Sequence, residues 1–200
     1  MKLQDVTLVS HGSVKKLAPL IDQVERWQGP VSFVIYLSSH TEIADFCLFL
    51  RDKATPLLFE LTSIHVVVEK HGGRLPYPVN VARNLAQQSI ESNFFLLMDV
   101  DFLPSRGAHR WLVDQLEKTK NQDHFWSRLR NSTLFVLPAF ERKPLEENGM
   151  TTADLVPLDK VGLERGVNDG TVTTFHPYFS LGHMQTRWTG LDCLWAQLVL

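Results

Sequence analysis

The sequence predicts an α/β fold: a mostly parallel central sheet with helices on both faces. Three observations predict it. Short apolar, β-rich runs alternate with amphipathic helical patterns through the first half of the chain, the order expected of a parallel sheet. One run, Phe94-Phe95-Leu96-Leu97-Met98, is apolar at five consecutive positions, the pattern of a strand buried on both faces. That run halts at Asp99-Val100-Asp101, and the carboxyl ends of strands are where open α/β sheets bind ligands.

Taken in order, Val6 to Ser10 reads as the first strand. His11-Gly12-Ser13 reads equally as a turn or as part of a ligand edge. Pro19 suits the first position of a helix whose face is Leu20, Ile21, Val24 and Trp27, ending at Gly29-Pro30. Val31 to Leu37 is the second strand. Thr41 and Glu42 open a helix that buries Ile43, Phe46, Cys47 and Leu50. Ile64 to Val68 is the third strand. Lys70 to Pro78, with two glycines and two prolines, is a loop. A helix from Val79 to Ile90 turns Val79, Ala82, Leu85, Ala86 and Ile90 inward. Another runs from about Ala108 to Lys118 and carries Trp111, Leu112, Gln115 and Leu116. Asn121 to Asn131 is a polar surface connection. Thr133 to Pro138 is a further buried strand followed by Ala139-Phe140-Glu141. From Arg142 to Gly170 the chain is loop-rich, with a short helix at Thr152 to Leu155. The apolar ending, Leu191 to Leu200, suggests an interrupted domain.

The bulk numbers bound the function. Two hundred residues, 44% hydrophobic and 21% charged, suit one globular domain. A net charge of −2 excludes a broad basic field for nucleic acid or anionic lipid. Cys47 and Cys193 stand far apart, which excludes a disulfide scaffold and a cysteine-rich zinc site; Cys47 reads as a small core residue. No apolar run reaches transmembrane length, and no signal-peptide pattern is present.

The chemistry concentrates around the Asp-x-Asp. Side chains two apart on an extended chain share a face, so Asp99 and Asp101 can approach one hard divalent cation, Mn²⁺ or Mg²⁺. On the preceding helix Asn80, Arg83, Asn84 and Gln87 form one stripe, and its amides and arginine differ from the usual Glu/Lys surface. Arg83 suits bidentate pairing with phosphate or carboxylate. Ser10 and His11 fall near the same sheet edge. Phe175 to Trp188 carries His176, Tyr178, His183 and Arg187, residues as fit for a sugar site as for a core.

Several blocks together resemble one family. They are Asp5-Val6-Thr7-Leu8-Val9-Ser10, Trp27-Gln28-Gly29-Pro30-Val31-Ser32, Tyr36-Leu37-Ser38, and Tyr77-Pro78-Val79-Asn80 with Arg83-Asn84-Leu85-Ala86. Asp99-Val100-Asp101-Phe102-Leu103-Pro104, Pro138-Ala139-Phe140-Glu141, and Gly182-His183 with Trp188 continue the order. Over about residues 5 to 188 the chain resembles the glucuronyltransferase domain of LARGE-type glycosyltransferases and the related β-1,4-glucuronyltransferase. The resemblance implies a nucleotide-sugar-binding GT-A fold, a single domain over residues 1–200, C-terminally incomplete, with 189–200 atypical. It implies Asp99 and Asp101 as ligands of Mn²⁺, with Mg²⁺ as the alternative, held against the diphosphate of a UDP-sugar. It places Asn80, Arg83, Asn84, Asp99 and Val100 at the nucleotide-sugar and Ser10 near the uridine. The implied donor is UDP-glucuronic acid, the acceptor a xylose-terminated glycan on a glycoprotein such as dystroglycan, and the location the Golgi membrane. A membrane anchor and a later metal-binding histidine, both implied by the resemblance, are expected to fall outside these 200 residues.

The chemistry agrees with that family. Breaking the anomeric bond to UDP develops negative charge on the diphosphate, which a divalent cation neutralises. A β-linkage made from an α-linked donor is a single inverting displacement and needs a general base. Glu141 is the one candidate for that base, and it reads more simply as a loop carboxylate. Two rivals stand beside this reading: a haloacid-dehalogenase-like phosphatase, in which Asp99 would be a nucleophile, and an inactive remnant that binds a nucleotide or a partner. Against the phosphatase, Asp101 is followed by Phe102-Leu103-Pro104 and not by a Gly/Thr-rich turn.

Overall fold

In a computed structural model of the chain, residues 5–70, 76–118, 137, 139–142, 157 and 159–175 are described, together with the backbone of 196–198. They fall into two compact units, residues 1–100 and 101–200. Apart from Leu137, the expected strand at Thr133 to Pro138 lies outside the described residues, as do the short helix at Thr152 to Leu155, the connection at Asn121 to Asn131 and the aromatic–histidine stretch with His176, Tyr178, His183 and Trp188.

The first unit is the expected α/β sheet. Strand β1 (Val6–Ser13) leads through a short 3-10 turn at Val14–Lys16 into α1 (Leu17–Trp27). Then come β2 (Val31–Leu37), α2 (His40–Asp52), α3 (Pro56–Leu61), β3 (Thr62–Val68), α4 (Val79–Gln88) and β4 (Phe94–Leu97). The sheet order is β3-β2-β1-β4, and every described pair is parallel. Val9 pairs with Ser32 and His11 with Val34, so Val9, His11 and Val34 share a face. Helix α4 packs there: Ala82 and Ala86 join Val9 and Val34 in one buried cluster, with Val67, Leu85 and Ile90 around it. Leu8, Phe33 and Ile35 point to the other face and are equally buried, on the side of α1, whose Leu17, Leu20, Val24 and Trp27 face inward.

Several boundaries differ from expectation for physical reasons. Strand β1 continues through His11 and Gly12, because these residues pair with Val34 and Ile35 and make no turn. Gly12 is needed for close approach: a Cβ there would lie 3.0 Å from Lys16 Cβ and 3.3 Å from both Phe33 and Val100. Helix α1 starts at Leu17, so Pro19 occupies the first turn, where its missing N–H has no partner to lose. The helix ends with Gln28 in the left-handed region (φ 55°), and Trp27 Nε1 donates to the Pro30 carbonyl oxygen at 3.0 Å. In α2 the buried face is narrower than predicted. Phe46 is buried but Cys47 is exposed, because one residue further on turns the side chain about 100° round the axis. Helix α3 was not anticipated. Ser39 caps α2, its Oγ accepting from Glu42 N, while Glu42 Oε2 accepts from the N–H and hydroxyl of Ser38, one residue before the cap.

Strand β4 corrects one premise. It is an edge strand of the described sheet and not buried on both faces: Phe95 is 46% and Leu97 42% exposed. Helix α4 lies over β1 and β2 and leaves β4 partly open.

The second unit holds β5 (Phe102–Pro104), α5 (Ala108–Lys118), β6 (Ala139–Arg142), α6 (Lys160–Asn168), β7 (Val172–Thr174) and β8 (Ala196–Leu198). Its sheet runs β5-β8-β6-β7, with β8 antiparallel to β5 and parallel to β6. The apolar ending therefore contains an interior strand. Phe140, Leu163 and Val172 form a small core. Helix α6 occupies a stretch expected to be loop; Asp159 Oδ1 caps it by accepting from Gly162 N at 2.8 Å. Glu141 lies within β6, opposite Thr173 of β7 and Leu198 of β8, rather than in a loop after a strand.

Candidate active site at the carboxyl edge of the parallel sheet

The strand order marks the edge where a ligand would bind. From β1 the chain winds to β2 and β3, then crosses back to put β4 on the other side of β1. The boundary between β1 and β4 is the topological switch point, and ligands bind outside the carboxyl ends of strands at such points. His11 lies toward the carboxyl end of β1, and Asp99 lies two residues beyond β4. The ladder carries on to Met98, whose N–H donates to the Val9 carbonyl oxygen at 3.0 Å, which sets Asp99 just past it.

Asp99 is the centre of a small polar network. Arg83 Nη2 donates to Asp99 Oδ1 at 2.7 Å. His11 Nε2 lies 3.5 Å from the same oxygen, within reach of electrostatic attraction but without forming a hydrogen bond. His11 Nδ1 is 2.8 Å from the Tyr77 hydroxyl, and the two rings stack with centroids 5.6 Å apart. Tyr36 sets its ring edge-on against Tyr77 at 5.3 Å. From the other side of the sheet, Gln23 Nε2 donates to the backbone carbonyl of Asp99 at 3.3 Å. His11, and Arg83 with it, hold the Asp99 carboxyl down at about 2, against the partial burial that pushes it up. Burial, aided by the Asp99 charge, pushes the Tyr77 phenol up to about 12.

The network sorts the sequence candidates. Arg83 and Asp99 are together; Arg83 pairs with the aspartate itself. Asn80 and Asn84 are exposed on α4, and Gln87 is half-buried further along the helix. Ser10 is fully buried on the α1 face, and its Oγ has no hydrogen-bond partner among the described residues. The Val100 side chain is buried against Gly12. Asp101 opens the second unit and is half-buried. Tyr77, Tyr36 and Gln23 were not singled out from the sequence as site residues. Only Tyr77 carried a signal, as the first residue of the block Tyr77-Pro78-Val79-Asn80.

Among the described residues, Asp99 is the one carboxylate that the network holds at this edge. A carboxylate that stays ionised through the physiological range, with its side chain 45% exposed at a ligand edge, is an oxygen donor of the kind Mn²⁺ and Mg²⁺ take. Among the described residues no group of three or more His, Cys, Asp or Glu side chains could hold a metal. A cation here would therefore draw most of its ligands from phosphate and water, as such ions commonly do.

A parallel α/β sheet with an ionised aspartate at its switch point is the layout of a ligand-binding α/β domain. The chain belongs to the family described as glycosyl-transferase for dystroglycan, matched over residues 5–72 and 58–190. It is 28% identical over 217 residues to mouse beta-1,4-glucuronyltransferase 1, covering 88% of the chain and 50% of that protein. It is 28% identical over 187 residues to mouse xylosyl- and glucuronyltransferase LARGE1, covering 92% of the chain and 22% of that protein. Human LARGE1 matches with the same identity and coverage. The chain thus spans half the length of the first relative and about a fifth of the others. Among the described residues no helix is long and apolar enough to cross a membrane. Family membership leaves the phosphatase reading without support.

Proposed function

We propose that this domain transfers glucuronic acid from UDP-glucuronic acid to a glycan acceptor by a metal-assisted inverting displacement. The single observation that carries the reading is Asp99, ionised and half-exposed at the switch point between β1 and β4. Asp99 and Asp101 would hold Mn²⁺, or Mg²⁺ in its place. The cation, when bound, neutralises the charge that develops on the UDP diphosphate as the anomeric bond breaks. Arg83, paired with Asp99 through Nη2, keeps further guanidinium N–H groups to offer a phosphate or the carboxylate of a glucuronosyl donor. The exposed Asn80 and Asn84 offer amide groups to the donor from the same helix. Family membership supports a nucleotide-sugar donor and a glycan acceptor. A xylose-terminated glycan on a glycoprotein as acceptor, and residence in the Golgi membrane, belong to the same reading.

The test is a donor screen: UDP-sugars with Mn²⁺, read by hydrolysis and by melting shift. UDP-glucuronic acid is expected to be turned over and UDP to stabilise the fold only with metal present. Asp99→Asn should remove the metal dependence of UDP binding. Equal UDP affinity in the variant and the parent would refute the assignment. Metal-dependent binding without turnover of any donor would instead indicate a domain that binds but does not transfer.

A further inference from the structure

The proposed site contains two groups that no part of that reading uses. His11 is 8% exposed, its Nε2 is buried without a hydrogen bond, and that nitrogen faces Asp99 Oδ1 at 3.5 Å. Its other nitrogen is held by the Tyr77 hydroxyl at 2.8 Å. A carboxylate only accepts hydrogen bonds, so the nitrogen facing it must carry the proton. In the neutral imidazole Nδ1 is then the acceptor, and the Tyr77 hydroxyl is its donor. Donation then runs from Tyr77 to His11 Nδ1, and the Nε2–H faces Asp99 Oδ1 across 3.5 Å. An approach of about half an ångström would make that second contact a full hydrogen bond. Tyr36, edge-on to Tyr77, and the stacked imidazole fix the phenol ring. Arg83 donates to the same Oδ1. The contacts of Arg83 and His11 with Asp99 thus both end on Oδ1, not on Oδ2.

We propose that Tyr77 and His11 are positioning residues for Asp99. Tyr77 selects the imidazole tautomer, His11 and Arg83 anchor Oδ1, and Oδ2 is left as the oxygen that a cation takes. Hydrogen-bonded partners behind a metal ligand commonly set its orientation, and losing one typically weakens metal affinity about 10–100-fold. Neither residue touches substrate in this scheme. The inference rests on the metal-dependent reading above, and its test separates the two.

The experiment measures UDP binding to the full chain by calorimetry across a Mn²⁺ series, for the parent, Tyr77→Phe, His11→Asn, His11→Gln and the double variant Tyr77→Phe/His11→Asn. Tyr77→Phe keeps the ring contacts and removes only the hydroxyl. It is expected to raise the Mn²⁺ concentration needed for half-maximal UDP binding by about tenfold or more. The double variant should be no weaker than His11→Asn alone, since both break one chain. His11→Gln, which can place an amide N–H near the position of Nε2, should restore most of the affinity lost in His11→Asn. Melting curves without metal check that each variant folds. If the parent binds UDP with Mn²⁺ and Tyr77→Phe and His11→Asn both stay within about twofold of it, the positioning role is wrong while the functional reading stands. If the parent shows no Mn²⁺-dependent binding, both are wrong.

Discussion

Asp99 carries most of the consequences at the scale of single residues. Its carboxyl is lowered from 3.8 to about 2, first by His11 and then by Arg83, against burial. A lowered carboxylate contributes stability that is present above its unfolded value and lost as pH falls through the folded one. The parent should therefore lose a component of stability between about pH 4 and pH 2 that Asp99→Asn lacks, measurable by acid titration of the two side by side. Coincident acid transitions would contradict the pairing. The sequence made Asp99 and Arg83 legible, one as an Asp-x-Asp and the other as an arginine on an amide-rich stripe. It hid their mutual contact, because spacing of sixteen residues carries no geometric information across a loop and a strand. His11 was ambiguous for a related reason: a His-Gly-Ser tripeptide has the composition of a turn, and only its pairing with Val34 shows it to be strand. Gly12 then has a packing role. Gly12→Ala is expected to destabilise by about 1–3 kcal/mol, since its Cβ would crowd Lys16, Phe33 and Val100. A melting temperature equal to the parent's would remove that explanation.

At the scale of elements, the sheet is tied to its helices by a few polar contacts in an apolar setting. Ser32 Oγ, buried on β2, donates to the Ala86 carbonyl oxygen at 2.8 Å in the last turn of α4. That carbonyl belongs to a helix end where intrahelical partners run out. Ser32→Ala should cost about 1–2 kcal/mol, seen as a lower denaturant midpoint with an unchanged slope. The contact also fixes α4 over β1 and β2, and so aims Arg83 at the switch point. Strands β2 and β3 were readable because their residues are β-branched or aromatic almost without interruption. Helix α3 was not, because six residues are too few to display a period. Helix α6 contains Gly162 and Gly166, which lower helix propensity by about 1 kcal/mol each, and so it read as loop. Gly166 is used for packing, since a Cβ there would come within 2.6 Å of Val172. The three-residue strands β5, β7 and β8 are set by their partners more than by their own composition.

For the whole molecule, the fold class was legible and the burial of the central run was not. Five apolar residues in a row predicted a strand with both faces covered, but among the described residues β4 is an edge strand with Phe95 and Leu97 half-open. Composition reports what a strand can bury; the strand order decides what it does bury. The same order, β3-β2-β1-β4, puts the reversal of winding beside Asp99, and this joins fold to function. The relatives named for glucuronyl transfer are about two to four times as long as the chain, so binding is the direct question to put to this domain. The decisive measurement is the melting temperature of the full chain with UDP in the presence of Mn²⁺ and, separately, of a chelator. At about a hundredfold excess over its dissociation constant, UDP with Mn²⁺ should stabilise by about 2.7 kcal/mol, a rise of roughly 5–10 °C, and Asp99→Asn should show none of it. A rise of the same size in the chelator, or in Asp99→Asn, would contradict a metal-gripped diphosphate at this edge.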